Sequence, residues 1–228
     1  MTPPIEILPS LLASDMSHLA EECRRAEAAG ADGLHLDIMD GHFVPNLTFG
    51  PDICRAVHSS FSGALSVHLM VTHPDRFIRP FAEAGASTLL IHVEAHTPAG
   101  EGLREIRSHG VRAGIALNPE TPVSLVAPWI EKGLVQEVLC MTVHPGFGGQ
   151  AFIEGVLTKM TEIRMRWPDL PVSVDGGVTG RTGPLCAAAG ATILIAGTFL
   201  FHARDMPLEV RRLRESSEAA RAERLSRL

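Results

Sequence analysis

The chain has 228 residues, of which 45% are hydrophobic and 20% are charged, and its formal net charge is -6 at pH 7. This balance is ordinary for a soluble globular protein, and the negative charge argues against a nucleic-acid-binding protein. No apolar run approaches the ~20 residues of a membrane span, and the start of the chain lacks the features of a secretory signal. The four cysteines are widely spaced, which predicts free thiols in a reducing compartment. We therefore expect a cytoplasmic protein with no nucleic-acid or membrane partner.

A short pattern recurs along the chain: an alanine-rich helix end, a glycine, and then a run of leucine and β-branched residues. A glycine just past a helix can adopt the left-handed conformation that ends it, so each copy predicts a helix, a stop and a strand. Short gaps, each about one strand–helix unit long, separate the middle copies, and gaps about twice as long separate the outer ones. The glycines of the pattern are Gly30, Gly85, Gly110, Gly133 and Gly190.

Each long gap contains one further helix stop, at Phe61–Gly63 and at Trp167–Asp169. The chain is therefore expected to contain eight strands, each followed by a helix, at 5–10, 34–37, 65–68, 89–92, 113–117, 138–141, 171–175 and 193–196. Such alternation implies a parallel sheet, and eight units fit a closed (β/α)8 TIM barrel of the α/β class. An open doubly wound sheet is the alternative, but it more often has a Gly-x-Gly-x-x-Gly turn after the first strand. We predict one barrel domain over 1–228, with about 207–228 as the last helix and a charged tail.

Nearly every predicted strand ends on a polar or small residue. In a barrel these ends meet at the C-terminal mouth, where catalytic groups gather. Any one of them alone is more often a loop cap or a hydrogen-bonded core group, but their convergence on one ring favours a site. They are Ser10, His35 with Asp37, His68, His92, Asn118, His144, Asp175, and Gly197 with Thr198. His35, Asp37, His68 and Asp175 together offer imidazole and carboxylate ligands for a divalent metal ion.

Glycine-rich segments follow the sixth, seventh and eighth predicted strands. Backbone N–H groups and helix N-termini there can bind a phosphate without a basic side chain. Met39, Met70 and Met141, near the ends of three strands, are either core filler or a water-excluding collar around the reacting carbons.

The only lysines, Lys132 and Lys159, fall in predicted helices. Schiff-base chemistry needs a lysine at a strand end. Acid–base chemistry between two carboxylates, with a metal polarising an oxygen, is what remains.

From about residue 5 to residue 206 the chain resembles the ribulose-phosphate 3-epimerases. The motifs that carry the resemblance are Leu8–Ser10, His35–Asn46, Val67–Met70, His92–Glu94, Pro145–Gln150 and Val174–Gly177. The second and fifth are long and specific. The resemblance implies a TIM barrel that interconverts D-ribulose 5-phosphate and D-xylulose 5-phosphate with one divalent metal ion, Zn²⁺, Fe²⁺, Mn²⁺ or Co²⁺. We expect a homo-oligomer whose partner is this sugar phosphate.

The resemblance also implies roles for individual residues. Asp37 and Asp175 would be the acid/base pair, and both would hold the metal together with His35 and His68. Ser10 and His68 would contact the sugar. The phosphate-binding residues would be Gly146, Phe147, Gly148, Gly149, Gly176, Gly177, Val178, Gly197 and Thr198, and Met39, Met70 and Met141 would line the site.

The chain departs from the family pattern at three positions. Family members usually carry asparagine at His144, an acidic residue at Ser173 and serine at Thr198. The first two could change substrate handling or the support behind the ligands.

Some segments look as much like the allulose-6-phosphate 3-epimerases, whose substrate is one carbon longer. These segments are Leu69–Thr72, Asn118–Pro122 and Met141–Val143. We favour ribulose 5-phosphate because Gly148–Gly149 and Asp175–Gly177 match its family better. A metal-dependent aldolase and a non-catalytic phosphate-binding barrel are further alternatives, although a barrel without catalysis would not need both aspartates.

Overall fold

Eight parallel strands form a sheet that curls into a barrel. The computed structural model describes residues 4–226. The strands are β1 (Glu6–Pro9), β2 (Gly33–Met39), β3 (Ala64–Met70), β4 (Thr88–His92), β5 (Arg112–Leu117), β6 (Glu137–Met141), β7 (Val172–Asp175) and β8 (Ile193–Ala196). The hydrogen-bonded order is β1-β8-β7-β6-β5-β4-β3-β2. A parallel bridge between Ser10 and His35 joins the first strand to the second and closes the ring. The predicted (β/α)8 barrel is confirmed.

Helices connect successive strands around the outside of the barrel. They are α1 (Leu19–Ala28), α2 (Pro51–His58), α3 (Asp75–Glu83), α4 (Ala99–Ser108), α5 (Ala127–Glu131), α6 (Val156–Arg166), α7 (Thr182–Ala189), α8 (Thr198–Phe201) and α9 (Met206–Leu225). The predicted glycine stop after α7 is confirmed, because Gly190 caps this helix with φ 117°. Glycine adopts this left-handed conformation without the steric cost that a Cβ brings.

Two apolar layers flank the sheet, because successive side chains of a strand point to opposite faces. Leu36 of β2 packs in the outer layer beneath the helices, while Leu90 and Leu139 fill the barrel interior. On β6, Cys140 points outward and Met141 inward. Burial raises the pKa of the Cys140 thiol to about 12, so this cysteine is structural and unreactive. All four cysteines are buried free thiols.

Most strands begin or end within one residue of the predicted bounds, and the larger differences concern two strand ends and the last helix. β2 and β3 extend two residues beyond the predicted ends, because Met39 pairs in register with Met70. The last helix begins at Met206 and packs against α7, with Val210 and Leu213 buried. Its Arg214 pairs with Asp32 at 2.7 Å. The predicted last helix is therefore confirmed, and it continues, docked on the barrel, through most of the segment expected as a charged tail, as far as Leu225. The rest of the predicted tail, residues 227–228, lies outside the described residues. Over residues 4–226, no helix has the length and apolarity to cross a membrane.

Candidate metal and acid–base site

Four predicted ligands meet at the mouth of the barrel. The alternation of β2 turns both His35 and Asp37 inward, and Asp37 stands in register with His68 on β3. Asp175 is the last residue of β7. One ligand atom from each of these four residues lies within 4.8 Å of the other three. The structure therefore brings together the four side chains that the sequence singled out.

The chemistry of this cluster fits a divalent cation. His35 Nε2 is buried and has no hydrogen-bond partner among the described residues, although Asp37 Oδ1 lies 3.3 Å away. The other ring nitrogen, Nδ1, is 3.1 Å from Ser66 Oγ. A buried polar atom without a partner is costly, and a cation held by imidazole nitrogen and carboxylate oxygen would satisfy it.

Burial and mutual repulsion separate the acid strengths of the two aspartates. Burial acts against the charged form of Asp37, but His35 and His68 outweigh it and hold the pKa of Asp37 below its usual range. Burial raises the pKa of Asp175, and the nearby charge of Asp37 raises it further. Without a metal, a proton shared by the pair therefore resides on Asp175. Burial also lowers the pKa of His68, to about 4, so this ring is neutral and able to bind a metal.

Ser10 and Asp37 are directly bonded. Ser10 Oγ donates a hydrogen bond of 2.6 Å to Asp37 Oδ2, and both residues are buried. This bond leaves Asp37 Oδ1 facing the two histidines, at 3.3 Å from His35 and 3.2 Å from His68. Ser10 thus fixes the orientation of the carboxylate.

A cavity of about 720 Å³ opens above the cluster, with Asp37 and Asp175 in its wall. Most of the residues predicted to contact substrate also line it: Ser10, Met39, Met70, Met141, Gly146, Phe147, Gly148, Gly149, Gly176, Gly177, Val178, Gly197 and Thr198. His35 and His68 are fully buried beneath the cavity and are not part of its wall. The contact predicted between His68 and the sugar stays a prediction.

The glycine-rich loops have conformations that other residues would not tolerate. Gly176 has φ 114°, and a Cβ there would lie 2.5 Å from Val143 Cγ2. The loop 144–150 is tied down by Gln150, which donates to the carbonyls of His144 and Phe147. Asn46 donates to Gly146 O at 2.8 Å and joins this loop to the one after β2. Backbone groups are thereby held around one end of the cavity.

Some strand-end residues do not join the cluster. The His144 side chain is 64% exposed and bonds Glu120 at 2.8 Å. Asn118 is likewise absent from both the ligand cluster and the cavity wall. Ser173 lies inside the barrel and donates a 2.7 Å hydrogen bond to Glu137 on β6. The carboxylate buried beside position 173 is therefore that of Glu137 on β6, while β7 itself carries a serine at this position.

The structure adds residues that sequence reasoning missed. Arg181 and His202 line the cavity beside the loops after β7 and β8. The guanidinium of Arg181 makes no hydrogen bond or ion pair with any residue from 4 to 226. Its place directly after the glycine-rich segment at 176–180 was the available sequence signal. His92, noted as a strand end and in the motif His92–Glu94 but given no role, lies fully buried with Nε2 2.8 Å from Nε2 of His68.

The fold and the site define a (β/α)8-barrel enzyme with a buried histidine–aspartate centre. Solved structures share the fold. A 3-hexulose-6-phosphate synthase from Salmonella typhimurium superposes with a TM-score of 0.71 at 16% identity, covering 95% of this chain and 100% of that one. A thiamine phosphate pyrophosphorylase from Pyrococcus furiosus gives a TM-score of 0.65 at 17% identity, covering 95% and 96%.

Sequence comparisons identify the protein family to which the chain belongs. The model of the Ribulose-phosphate 3 epimerase family matches residues 6–201. A ribulose-phosphate 3-epimerase from Bacillus subtilis is 42% identical over 217 residues, which cover 93% of this chain and 99% of that protein. A cytoplasmic isoform from Oryza sativa is also 42% identical, with 94% and 95% covered. The chain belongs to the ribulose-phosphate 3-epimerase family and is an isomerase acting on carbohydrates, as the motifs indicated.

Proposed function

We propose that this protein is a metal-dependent 3-epimerase that interconverts D-ribulose 5-phosphate and D-xylulose 5-phosphate. The observation that carries the proposal is the meeting of two carboxylates from separate strands, Asp37 and Asp175, at the floor of one cavity. The relatives from Bacillus subtilis and Oryza sativa, each 42% identical to this chain, are named for this activity. The proposed cofactor is one divalent ion, Zn²⁺, Fe²⁺, Mn²⁺ or Co²⁺.

Inverting C3 requires a proton to leave one face of the sugar and another to arrive on the opposite face. One carboxylate takes the C3 proton, and the carboxylic acid of its partner delivers a proton from the other side. In the reverse direction the two groups exchange roles. In the metal-free protein the pKa of Asp37 is lowered and that of Asp175 is raised, so the two carboxyls differ in acid strength, as an acid and a base acting on opposite faces require.

His35, Asp37, His68 and Asp175 would hold the metal. A divalent cation there would supply positive charge that stabilises the enediolate oxygens of the deprotonated sugar. Ser10 holds Asp37 in orientation and can contact the sugar from the cavity wall.

The methionines and the glycine-rich loops complete the proposed binding site. Met39 and Met70 pack with Val44 at the mouth and would exclude water from the reacting carbons. The loops after β6, β7 and β8 would bind the phosphate through backbone N–H groups, as their place in the cavity wall suggests.

Solvent hydrogen exchange tests this proposal. In D₂O, the purified protein supplied with Mn²⁺, Zn²⁺, Co²⁺ or Fe²⁺ should interconvert the two pentulose phosphates and place deuterium at C3. Asp37→Asn and Asp175→Asn should each lower turnover by about 10²- to 10⁴-fold. Absence of exchange with every metal would refute the epimerase, and a variant that keeps most of its activity would refute the assignment of that carboxylate.

The second candidate substrate is allulose 6-phosphate, which is one carbon longer. Turnover of the pentulose and hexulose phosphates should be compared on the same preparation. We expect a higher kcat/KM for the pentulose phosphate, and the opposite order would reassign the substrate. A homo-oligomer and a cytoplasmic location remain predictions, and light scattering on the purified protein would test the first.

A further inference from the structure

A chain of hydrogen bonds, buried as far as His92, runs from the ligand cluster to Glu94, two residues past the end of β4. Asp37 Oδ1 lies 3.2 Å from His68 Nδ1, and His68 Nε2 lies 2.8 Å from His92 Nε2. His92 Nδ1 then lies 2.9 Å from Glu94 Oε2. Both rings are fully buried, and the ring of Phe43 covers His92 at a centroid distance of 4.8 Å.

The two imidazoles meet edge to edge, as a hydrogen bond between them requires. Their planes are inclined by 25° and their centroids are 4.9 Å apart. Face-to-face stacking would not bring two ring nitrogens to 2.8 Å. The centroid separation is that of two rings joined end to end through their Nε2 atoms.

Glu94 determines where the hydrogens in this series of hydrogen bonds reside. Although burial acts against its charge, hydrogen bonds from His92, Thr121 and Asn118 lower the pKa of Glu94 to about 2. Its Oε1 accepts from Thr121 Oγ1 and from the Asn118 N–H at 2.9 Å. Both oxygens are therefore acceptors, and His92 Nδ1 must carry the hydrogen that bonds Oε2.

The hydrogen on His92 Nδ1 determines where the hydrogens of both imidazole rings lie. With its Nδ1 hydrogen donated to Glu94 and one hydrogen in each ring, His92 offers a lone pair at Nε2, so the hydrogen between the rings lies on His68 Nε2. A neutral His68 with hydrogen on Nε2 has its lone pair at Nδ1, the atom that faces Asp37 Oδ1. That lone pair is what a metal ligand needs. We propose that Glu94 and His92 are positioning residues that set the tautomer of His68 and so prepare Nδ1 to bind the metal.

The other histidine ligand has no comparable control. His35 Nδ1 contacts Ser66 Oγ, and a hydroxyl can donate or accept, so it imposes no tautomer. Partners of this kind behind a ligand typically contribute about 10- to 100-fold in metal affinity. We expect the larger share of that support to come from Glu94.

Glu94→Gln is the discriminating substitution. It preserves size and shape but leaves one acceptor oxygen where the wild type has two. If that oxygen accepts from His92 Nδ1, the amide N–H₂ faces the Asn118 N–H and the Thr121 hydroxyl, which lose their acceptor. If the oxygen accepts from those two donors, the N–H₂ faces His92 Nδ1 and favours the His92 tautomer with hydrogen on Nε2. Glu120→Gln is the matched control, because Glu120 also bonds a histidine, at 2.8 Å, but on the exposed surface.

The test measures metal affinity and tautomers, and it rests on the proposed metal site. With Zn²⁺ and a competing chromophoric chelator, Glu94→Gln should bind zinc about 10- to 100-fold more weakly than the wild type, and Glu120→Gln should match the wild type. Long-range ¹⁵N spectra of zinc-loaded wild-type protein should show hydrogen on Nδ1 of His92 and on Nε2 of His68.

The outcomes separate this inference from the proposed function. Unchanged zinc affinity in Glu94→Gln, or hydrogen on Nε2 of His92 in the wild-type spectrum, overturns the proposal that Glu94 and His92 set the tautomer of His68, even if the enzyme epimerises normally. A wild type that binds no zinc, manganese, cobalt or iron overturns both the metal site and the positioning role of Glu94 and His92. The wild-type spectrum decides the question even if the variant does not fold.

Discussion

Replacing Asp175 by asparagine should make the metal-free protein more stable at pH 8 while it removes turnover. Burial and the charge of Asp37 raise the pKa of Asp175 from 3.8 to about 7. At pH 8 the ionised carboxylate therefore costs the folded chain up to about 4 kcal/mol. Asparagine carries no charge but must still bury an amide, which costs about 1–3 kcal/mol. We expect a net gain of about 2 kcal/mol, or a rise in Tm of about 4–8 °C.

The pH dependence identifies the cause. A carboxyl whose pKa is raised on folding contributes no penalty below its unfolded pKa near 4, and the full penalty above its folded pKa. The gain from Asp175→Asn should therefore be complete at pH 8, shrink as the pH falls through 7, reach zero at pH ~5 and become a loss of about 2 kcal/mol at pH ~4, where only the cost of the buried amide remains. Calorimetry on chelator-treated protein from pH 4 to pH 8 measures it, with the fully exposed Asp52→Asn as control. A loss of stability at pH 8, or a gain independent of pH, would refute this reasoning.

Three further predictions concern the cavity and its loops. Ser10→Ala removes the 2.6 Å hydrogen bond to Asp37, so kcat/KM should fall about tenfold; an unchanged value in steady-state assays would contradict the orienting role of Ser10. Arg181→Met removes from the cavity wall a cation that has no ion pair with residues 4–226. We expect this cation to contact the substrate phosphate, so KM for the sugar phosphate should rise about three- to tenfold with kcat preserved, and less so in high salt. A fall in kcat at constant KM would exclude phosphate contact. Gly176→Ala forces a Cβ to within 2.5 Å of Val143 at φ 114° and should lower stability by about 3 kcal/mol in urea unfolding. Gly148→Ala, where a Cβ would meet open space, is its control, and equal stability of the two variants would show that the close approach is unimportant.

Features that repeat locally were predictable from the sequence. The alternation along β2 places His35 and Asp37 on one face, because consecutive strand residues point in opposite directions whatever the rest of the chain does. The glycine after a helix, as at Gly190, marks a stop because the left-handed conformation is a local property of the backbone. Five glycine stops, two further helix stops and the opening strand sufficed to predict the barrel, and the barrel in turn predicted that the strand ends meet.

Which strand ends converge was decided only by the tertiary structure. His92 and His144 look alike in the sequence, each close to the end of a strand, yet His92 bonds His68 inside the barrel and His144 bonds Glu120 on the surface. The difference depends on strand register and loop path, which arise from contacts between residues far apart in the chain. For the same reason, no local pattern revealed that hydrogen bonds through the rings of His92 and His68 connect Glu94 to the ligand cluster.

Thus the sequence alone determined the number of strand–helix units, the direction of the side chains and the chemical types available at the mouth of the barrel. The folded structure decided the distances between them: four ligand atoms within 4.8 Å, a buried carboxylate supplied by Glu137 beside Ser173, and Arg181 in the cavity wall. Hydrogen bonding and pKa shifts depend steeply on separation and burial, and these are set by packing between distant segments.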